Sequence, residues 1–200
     1  NNTFDSCTHL SKITFDTDTI TEIKSSAFEN CKSLKTVKLS QNSKVVDFSD
    51  RCFMNSSIEN FEVPQHLSAI PRSCFKNCIK LKNIVIHENS DVSQINDEAF
   101  MNSNVETIFI PKNMEIIGQL CFSECKSLKE PIFSNEIKCF SICNKAFYNS
   151  SVEKINFPKG IKKIGIKCFN NCQKLKQVTF SDNSLITRIK EKAFKASGIE

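Results

Sequence analysis

The chain has no tryptophan, one tyrosine and only four glycines in 200 residues. Gly118, Gly160, Gly165 and Gly198 stand apart, which excludes a glycine-rich loop cradling a phosphate. No apolar run reaches the roughly 18 residues that a membrane-spanning helix needs, so this segment is not expected to insert into a bilayer. The three histidines, His9, His66 and His87, are scattered, with no HExxH spacing and no paired nucleophile. A catalytic function must be argued from a site, and none is legible; the expectation is a non-enzymatic protein without cofactor or metal. The chain opens on Asn1 with no secretory leader, which reads as a processed or cut N-terminus.

Phenylalanine, by contrast, is abundant and regular. It stands at positions 4, 28, 53, 75, 100, 122, 147, 169 and 194, so that after the first step the spacing alternates between 25 and 22 residues. The longer unit reads F-x-x-C-x-x-L-x-x-[VIP]-x-[LIF], as in "FENCKSLKTVKL" and "FKNCIKLKNIVI". The shorter reads F-x-x-S-x-[VI]-x-x-[FI]-x-[VIF]-P, as in "FMNSNVETIFIP". Each unit adds two more apolar residues three apart, such as Val92 and Ile95, and closes on Ala or Cys before the next Phe. A unit this short cannot bury its own apolar face, but stacked units can.

The L-x-x-[VI]-x-[LI] core is the leucine-rich-repeat signature, one short strand per coil, with successive strands forming a parallel sheet. The expected fold is therefore a leucine-rich-repeat solenoid of α/β type. It has a parallel β-sheet on one face and short helical turns and loops on the other. The turns are expected around "DEAFMNS", "NKAFYNS" and "EKAFKAS", with an acidic or Asn residue capping each first turn. A single domain is expected over 1–200, of alternating 25- and 22-residue units with partial repeats at both ends. Terminal repeats normally carry polar caps; neither end reads as one, so a longer natural chain is expected.

The A/C-F-x-x-C/S-x-x-L unit, with its short version ending in Pro, resembles the BspA-like leucine-rich repeats over essentially the whole chain. Those repeats occur in surface proteins of host-associated bacteria and in protozoan parasites. The usual I-G before the turn survives here only in "IIGQ" and "KIGI". The resemblance implies a non-enzymatic binding surface, often linked to adhesion, at a cell surface or outside the cell. An intracellular protein–protein scaffold using the same face is the alternative.

Eleven cysteines make an odd number, so at least one is unpaired in a monomer. Cys31, Cys78, Cys125 and Cys172 share a column in which the short units place Ser. Same-column cysteines are two coils apart, about 10 Å at strand spacing, too far for a disulfide. Cys52, Cys74, Cys121 and Cys168 fill a small-residue column that elsewhere holds Ala27, Ala99, Ala146 and Ala193. Such interchange selects for size, which favours packed thiols. A few disulfides remain open in an oxidising compartment, Cys52 with Cys74 or Cys74 with Cys78. Zinc fits poorly, since one coil offers two thiols and no His recurs in step. Cys143 falls in a polar column with Ser49, Asn96 and Lys190 and is expected to be exposed. Asn1, Asn55 and Asn149 head N-x-[ST] sequons, the latter two in equivalent turns expected to be exposed.

The outward residues of the strands bear on function. Down the coils they read Thr14, Lys38, Glu62, Val85, Phe109, Ile132, Asn156 and Thr179. Val85, Phe109 and Ile132 should touch as one apolar patch, a candidate anchor for a protein ligand such as a host or matrix protein. Asn83, Thr107 and Glu130 on one side, and His87, Pro111 and Ser134 on the other, are expected to form its rim. Pro131 occupies a core strand position, where it removes a ladder donor, so a bulge or break beside Ile132 is expected.

Charge supplies a second candidate. The first hundred residues hold 11 basic and 13 acidic side chains, the last hundred 16 and 9. Lys154, Lys159, Lys162, Lys163 and Lys167, followed by Lys174 and Lys176, can form a stripe for a sulfated glycan or acidic protein. Phe157 and Phe169 fall among them only at core positions of the repeat, so no aromatic residues interleave with them as stacking platforms, which argues against nucleic acid.

Overall fold

The structure, a computed structural model, describes residues 1–16, 19–40 and 43–199. The described residues form two series of short strands. The odd series is β1 (Lys12–Thr14), β3 (Thr36–Lys38), β5 (Asn60–Glu62), β7 (Asn83–Val85), β9 (Thr107–Ile110), β11 (Glu130–Phe133), β13 (Lys154–Phe157) and β15 (Gln177–Phe180). The even series is β2 (Glu22–Ile23), β4 (Asp47–Phe48), β6 (Ala69–Ile70), β8 (Gln94–Ile95), β10 (Ile116–Ile117), β12 (Phe140–Ile142), β14 (Ile161–Ile164) and β16 (Arg188–Ile189). Odd strands pair as β1–β3, β5–β7–β9–β11 and β13–β15, and even strands as β2–β4 and β6–β8–β10–β12–β14–β16. Every pair is parallel, and each strand bonds to its equivalent one coil away. The coil thus has two sheet-forming sides, where the repeat pattern led us to expect one.

The third side carries the Phe motif, and here the expected helical turns do not form. Two residues before and two after each Phe, the backbone turns left-handed: Glu98 (φ 59) and Asn102 (φ 55) bracket Phe100, as Ser73 (φ 54) and Asn77 (φ 58) bracket Phe75. A left-handed residue at every fourth position breaks a right-handed helix. The amides alternate between two acceptors instead. Those of Glu98, Phe100 and Asn102 donate to Gln119, Cys121 and Ser123 of the next coil, at 2.9, 2.9 and 2.8 Å. Those of Met101 and Ser103 turn back three residues, each at 3.0 Å. The third side is therefore a ladder between coils, bonded much as the sheets are.

Side chains reinforce it. Asn tolerates the left-handed region better than most residues, and an Asn follows most of the Phe residues at that position. Asn55 donates to Asn30 (2.8 Å), Asn77 to Asn55 (2.9 Å), Asn102 to Asn77 (2.9 Å) and Asn171 to Asn149 (2.7 Å). Asp97 and Asn144, expected to cap helical turns, serve the ladder too, and so does Asp50 at the equivalent position. Asp50, Asp97 and Asn144 accept from the backbone N–H of Arg72, Gln119 and Ile166, each one coil on, at 3.2, 2.6 and 2.9 Å.

Inside this triangular stack the Phe rings form one column. Successive centroids lie 4.9 to 5.5 Å apart with planes within 18° of parallel. The Leu, Ile and Val columns pack around it, and the rings from Phe28 to Phe169 are buried. The coils approach so closely at Gly118 that a Cβ there would lie 2.6 Å from the carbonyl carbon of Asn96, so a side chain would require the backbone to shift.

Two irregularities differ from expectation. Pro131 causes no bulge, and β11 keeps register with β9, with Pro131 opposite Ile108 and Ile132 opposite Phe109. Inward residues such as Phe15 and Val63 donate their amides to the following coil, both at 2.9 Å. Pro131 has no amide to give in that direction, and the ladder is interrupted between β11 and β13, on that side. The irregularity lies instead between β12 and β14, where Phe140 faces Ile161 but Ser141 faces Lys163, so that Lys162 of β14 is the extra residue. Phe140 takes the inward place that the three-residue spacing assigns to Cys139, and Cys139 is exposed.

If the ring column carries the core, Phe100→Ala should lower the unfolding free energy in urea by about 3–5 kcal/mol. Phe4→Ala, at a partly exposed ring, should cost far less.

Candidate binding surface

The odd strands present one outward residue each at their centre. Glu62 stands opposite Val85 and Phe109 opposite Ile132, while β7 and β9 join through Asn83 and Thr107, two residues before Val85 and Phe109. Val85, Phe109 and Ile132 are thereby adjacent in three successive strands. Val85 and Ile132 are 44% and 49% exposed, and Phe109 between them is half-buried.

Polar pairs order both flanks. Glu62 Oε1 meets His87 Nε2 at 2.9 Å, and Asn83 donates to Asn60 at 2.6 Å. On the far side Glu130 receives Lys154 at 2.9 Å and Asn156 at 3.1 Å, and Thr179 donates to Asn156 at 2.6 Å. Thr107 is exposed beside Phe109. Pro111 and Ser134 do not belong to the rim: both are buried, and Ser134 donates to Glu88 at 2.6 Å. His87, together with Leu39, Val63, Pro64 and His66, also borders an open groove of roughly 850 Å³, a feature that required the fold to be seen. His66 there pairs with Asp91 at 2.9 Å.

The lysines proposed as a stripe are dispersed by the fold. Lys154 lies on β13 in the odd sheet, Lys159 in the turn after it, Lys162 and Lys163 on β14 in the even sheet. Lys167 stands at a left-handed position on the third side. They look out from three sides of a single coil.

The cysteines are all free. Eight of them are buried, and the shared column does more than fill space. Cys31, Cys78, Cys125 and Cys172 donate their thiols to the carbonyls of Phe4, Phe53, Phe100 and Phe147 in the preceding coil, at 2.9, 3.1, 3.0 and 2.9 Å. Ser56, Ser103 and Ser150 touch the sulfurs of Cys78, Cys125 and Cys172. Burial pushes Cys78 and Cys125 up to about 12. Cys52 and Cys74 come within 3.3 Å, sulfur to sulfur. Cys143 is half-buried, contrary to expectation, and the outlying thiol is Cys139. Among the described residues no three His, Cys, Asp or Glu side chains converge on a point that would hold a metal. Among the described residues no helix is long and apolar enough to cross a membrane.

Asn55 and Asn149, the sequon residues, are half-buried rungs of the Asn ladder. Asn55 donates to Asn30 and accepts from Asn77, and Asn149 donates to Glu124 and accepts from Asn171. The repeat explains both.

These features define a solenoid repeat protein with its distinctive residues on an outward sheet face. The family model for the BspA type leucine rich repeat region matches residues 1–129 and 93–200, with six copies, and the chain belongs to that family. Comparison with curated proteins gave no match. Among solved structures it is similar to the pneumococcal vaccine antigen PcpA, at 24% identity and TM-score 0.68 over 86% of this chain and 51% of that one. A leucine-rich repeat protein from Bacteroides ovatus is similar at 18% identity and TM-score 0.65 over 98% and 66%. The T. pallidum leucine rich repeat protein follows at 21% and 0.60 over 85% and 69%. The chain thus spans about half of the pneumococcal antigen and two thirds of the Bacteroides protein; at these identities the likeness is one of fold.

The buried thiols give the fold an alkaline weakness. A thiol raised in the folded state stabilises fully below its unfolded pKa, and that stability is lost as pH rises towards the folded value. Above pH of about 8.5 each of Cys78 and Cys125 should lower the unfolding free energy by about 1.4 kcal/mol per pH unit. Urea titrations from pH 8 to 10 should show this fall, and the Cys78→Ser/Cys125→Ser variant a shallower one.

Proposed function

We propose that the chain is a non-catalytic binding module that takes a protein ligand on the odd sheet, with Phe109 as anchor between Val85 and Ile132. The observation that carries this reading is their contiguity. In a column otherwise polar, three apolar residues fall on consecutive strands, and the flanking polar side chains are already satisfied by one another. Ordered polar neighbours around an apolar centre are the usual anatomy of a binding patch. Thr107 and His87 complete the contact surface.

The module works in adhesion at a cell surface, with a host or matrix protein as ligand. Membership of the BspA-type family supports that setting, as does the fold shared with a pneumococcal protein described as a vaccine antigen. A scaffold inside a cell is the second reading, favoured by eight buried thiols that serve packing and hydrogen bonding.

The test is binding of the purified chain to host cells and immobilised matrix proteins, with Phe109→Asp alongside and both shown folded by circular dichroism. Loss of about 30-fold or more, as for a hot-spot residue, is the expected result. Equal binding by both proteins would remove the patch from the account.

A further inference from the structure

Folding assembles a basic cluster that the linear order of the lysines does not show. On the even sheet Lys163 of β14 stands directly opposite Arg188 of β16. Lys162 precedes the first and Lys190 follows the second by two residues. Like charges directly opposite in a sheet are destabilising, and acidic residues could relieve them. The ion pairs of this region lie elsewhere, Lys154 with Glu130 and Lys192 with Glu191. Among the described residues none of the four cluster residues is in an ion pair. Lys162 and Arg188 are exposed and Lys163 and Lys190 half-buried; beside them Ile164 of β14 is buried, while its partner Ile189 on the outermost strand β16 is 52% exposed.

We propose that this end of the even sheet is a second binding surface, for a sulfated polysaccharide. Unneutralised cations carried on neighbouring strands of a paired sheet are spaced for a polyanion and contribute charge-assisted hydrogen bonds to its sulfates. The surrounding outward residues decide the class. Ser141 on the adjoining strand and Thr187 beside Arg188 are small and polar. No aromatic side chain faces out among these strands to stack on bases, as single-stranded nucleic acid binding requires. The exposed apolar side chains here are Leu185 and Ile189; Ile189 pairs with the buried Ile164 and so lies on the opposite side of the strand from Arg188, outside the face that carries the cations. The surface is separate from the patch at Phe109, which lies on the odd sheet, so the two can be occupied independently.

The experiment uses the whole chain with fluorescently labelled heparin as the probe, read by anisotropy across a range of NaCl concentrations. Lys163→Gln/Arg188→Gln should weaken binding about tenfold or more, the consequence of losing two charge-assisted contacts. Lys174→Gln/Lys176→Gln removes the same charge elsewhere and should leave affinity within about twofold. Phe109→Asp should leave heparin binding unchanged, which separates failure here from failure of the protein-ligand reading. Lys163→Arg/Arg188→Lys, which keeps both charges, should bind as the parent does and controls for folding. Equal losses in the two Gln pairs would overturn the proposal in favour of diffuse attraction. So would tighter binding of an unlabelled single-stranded oligonucleotide through the same pair, or salt-labile self-association that the Lys163→Gln/Arg188→Gln variant abolishes. Absence of heparin binding near physiological ionic strength would also overturn it.

Discussion

Whatever a residue does for its own coil, its neighbours above and below must accommodate at a spacing of about 4.8 Å. This translational constraint governs the whole molecule. It stacks the Phe rings, lines up the Asn side chains and lets a thiol in one coil reach a carbonyl in the one before. It also explains why the third side is not helical. A helical turn would keep its amides to itself, whereas a left-handed residue at every fourth position lets every second amide reach the next coil. The strain of non-glycine left-handed residues, about 1–3 kcal/mol each, is offset by bonds that recur on each coil.

The same constraint leaves the outward positions unconstrained by packing, and function must be read there. Inward columns repeat because each member touches the next; outward residues need only tolerate one another. An interruption such as Val85, Phe109 and Ile132 in a polar column, or Lys163 opposite Arg188, carries information that the repeat does not require. The two surfaces differ in physics. One depends on apolar burial at a centre edged by satisfied polar pairs, the other on charge that is left without a counterion from the protein.

Much of this was legible from residue spacing. The 25- and 22-residue Phe intervals implied the stack and hence the register that aligns Val85, Phe109 and Ile132. What escaped depended on backbone geometry that residue types encode weakly. "DEAF" reads as a capped helix start, because Asp accepts backbone amides in either setting; only the neighbouring coil shows that Asp97 bonds to Gln119. The second sheet was missed because its strands are mostly two residues long and show no alternation. A one-residue bulge decided that Phe140 is inside and Cys139 outside. The lysines misled for the opposite reason: closeness in sequence around a coil is dispersal in space, whereas residues 25 apart, such as Lys163 and Arg188, are neighbours.

Amide hydrogen exchange read residue by residue tests the ladder on the third side most directly. The account predicts that the amides of Glu98, Phe100 and Asn102, in segments that look like loops, exchange as slowly as those of Ile108 and Ile117 in the two sheets. Rapid exchange at those three positions, with slow exchange confined to the strands, would contradict it. The coils would then be held together by two sides and the ring column alone.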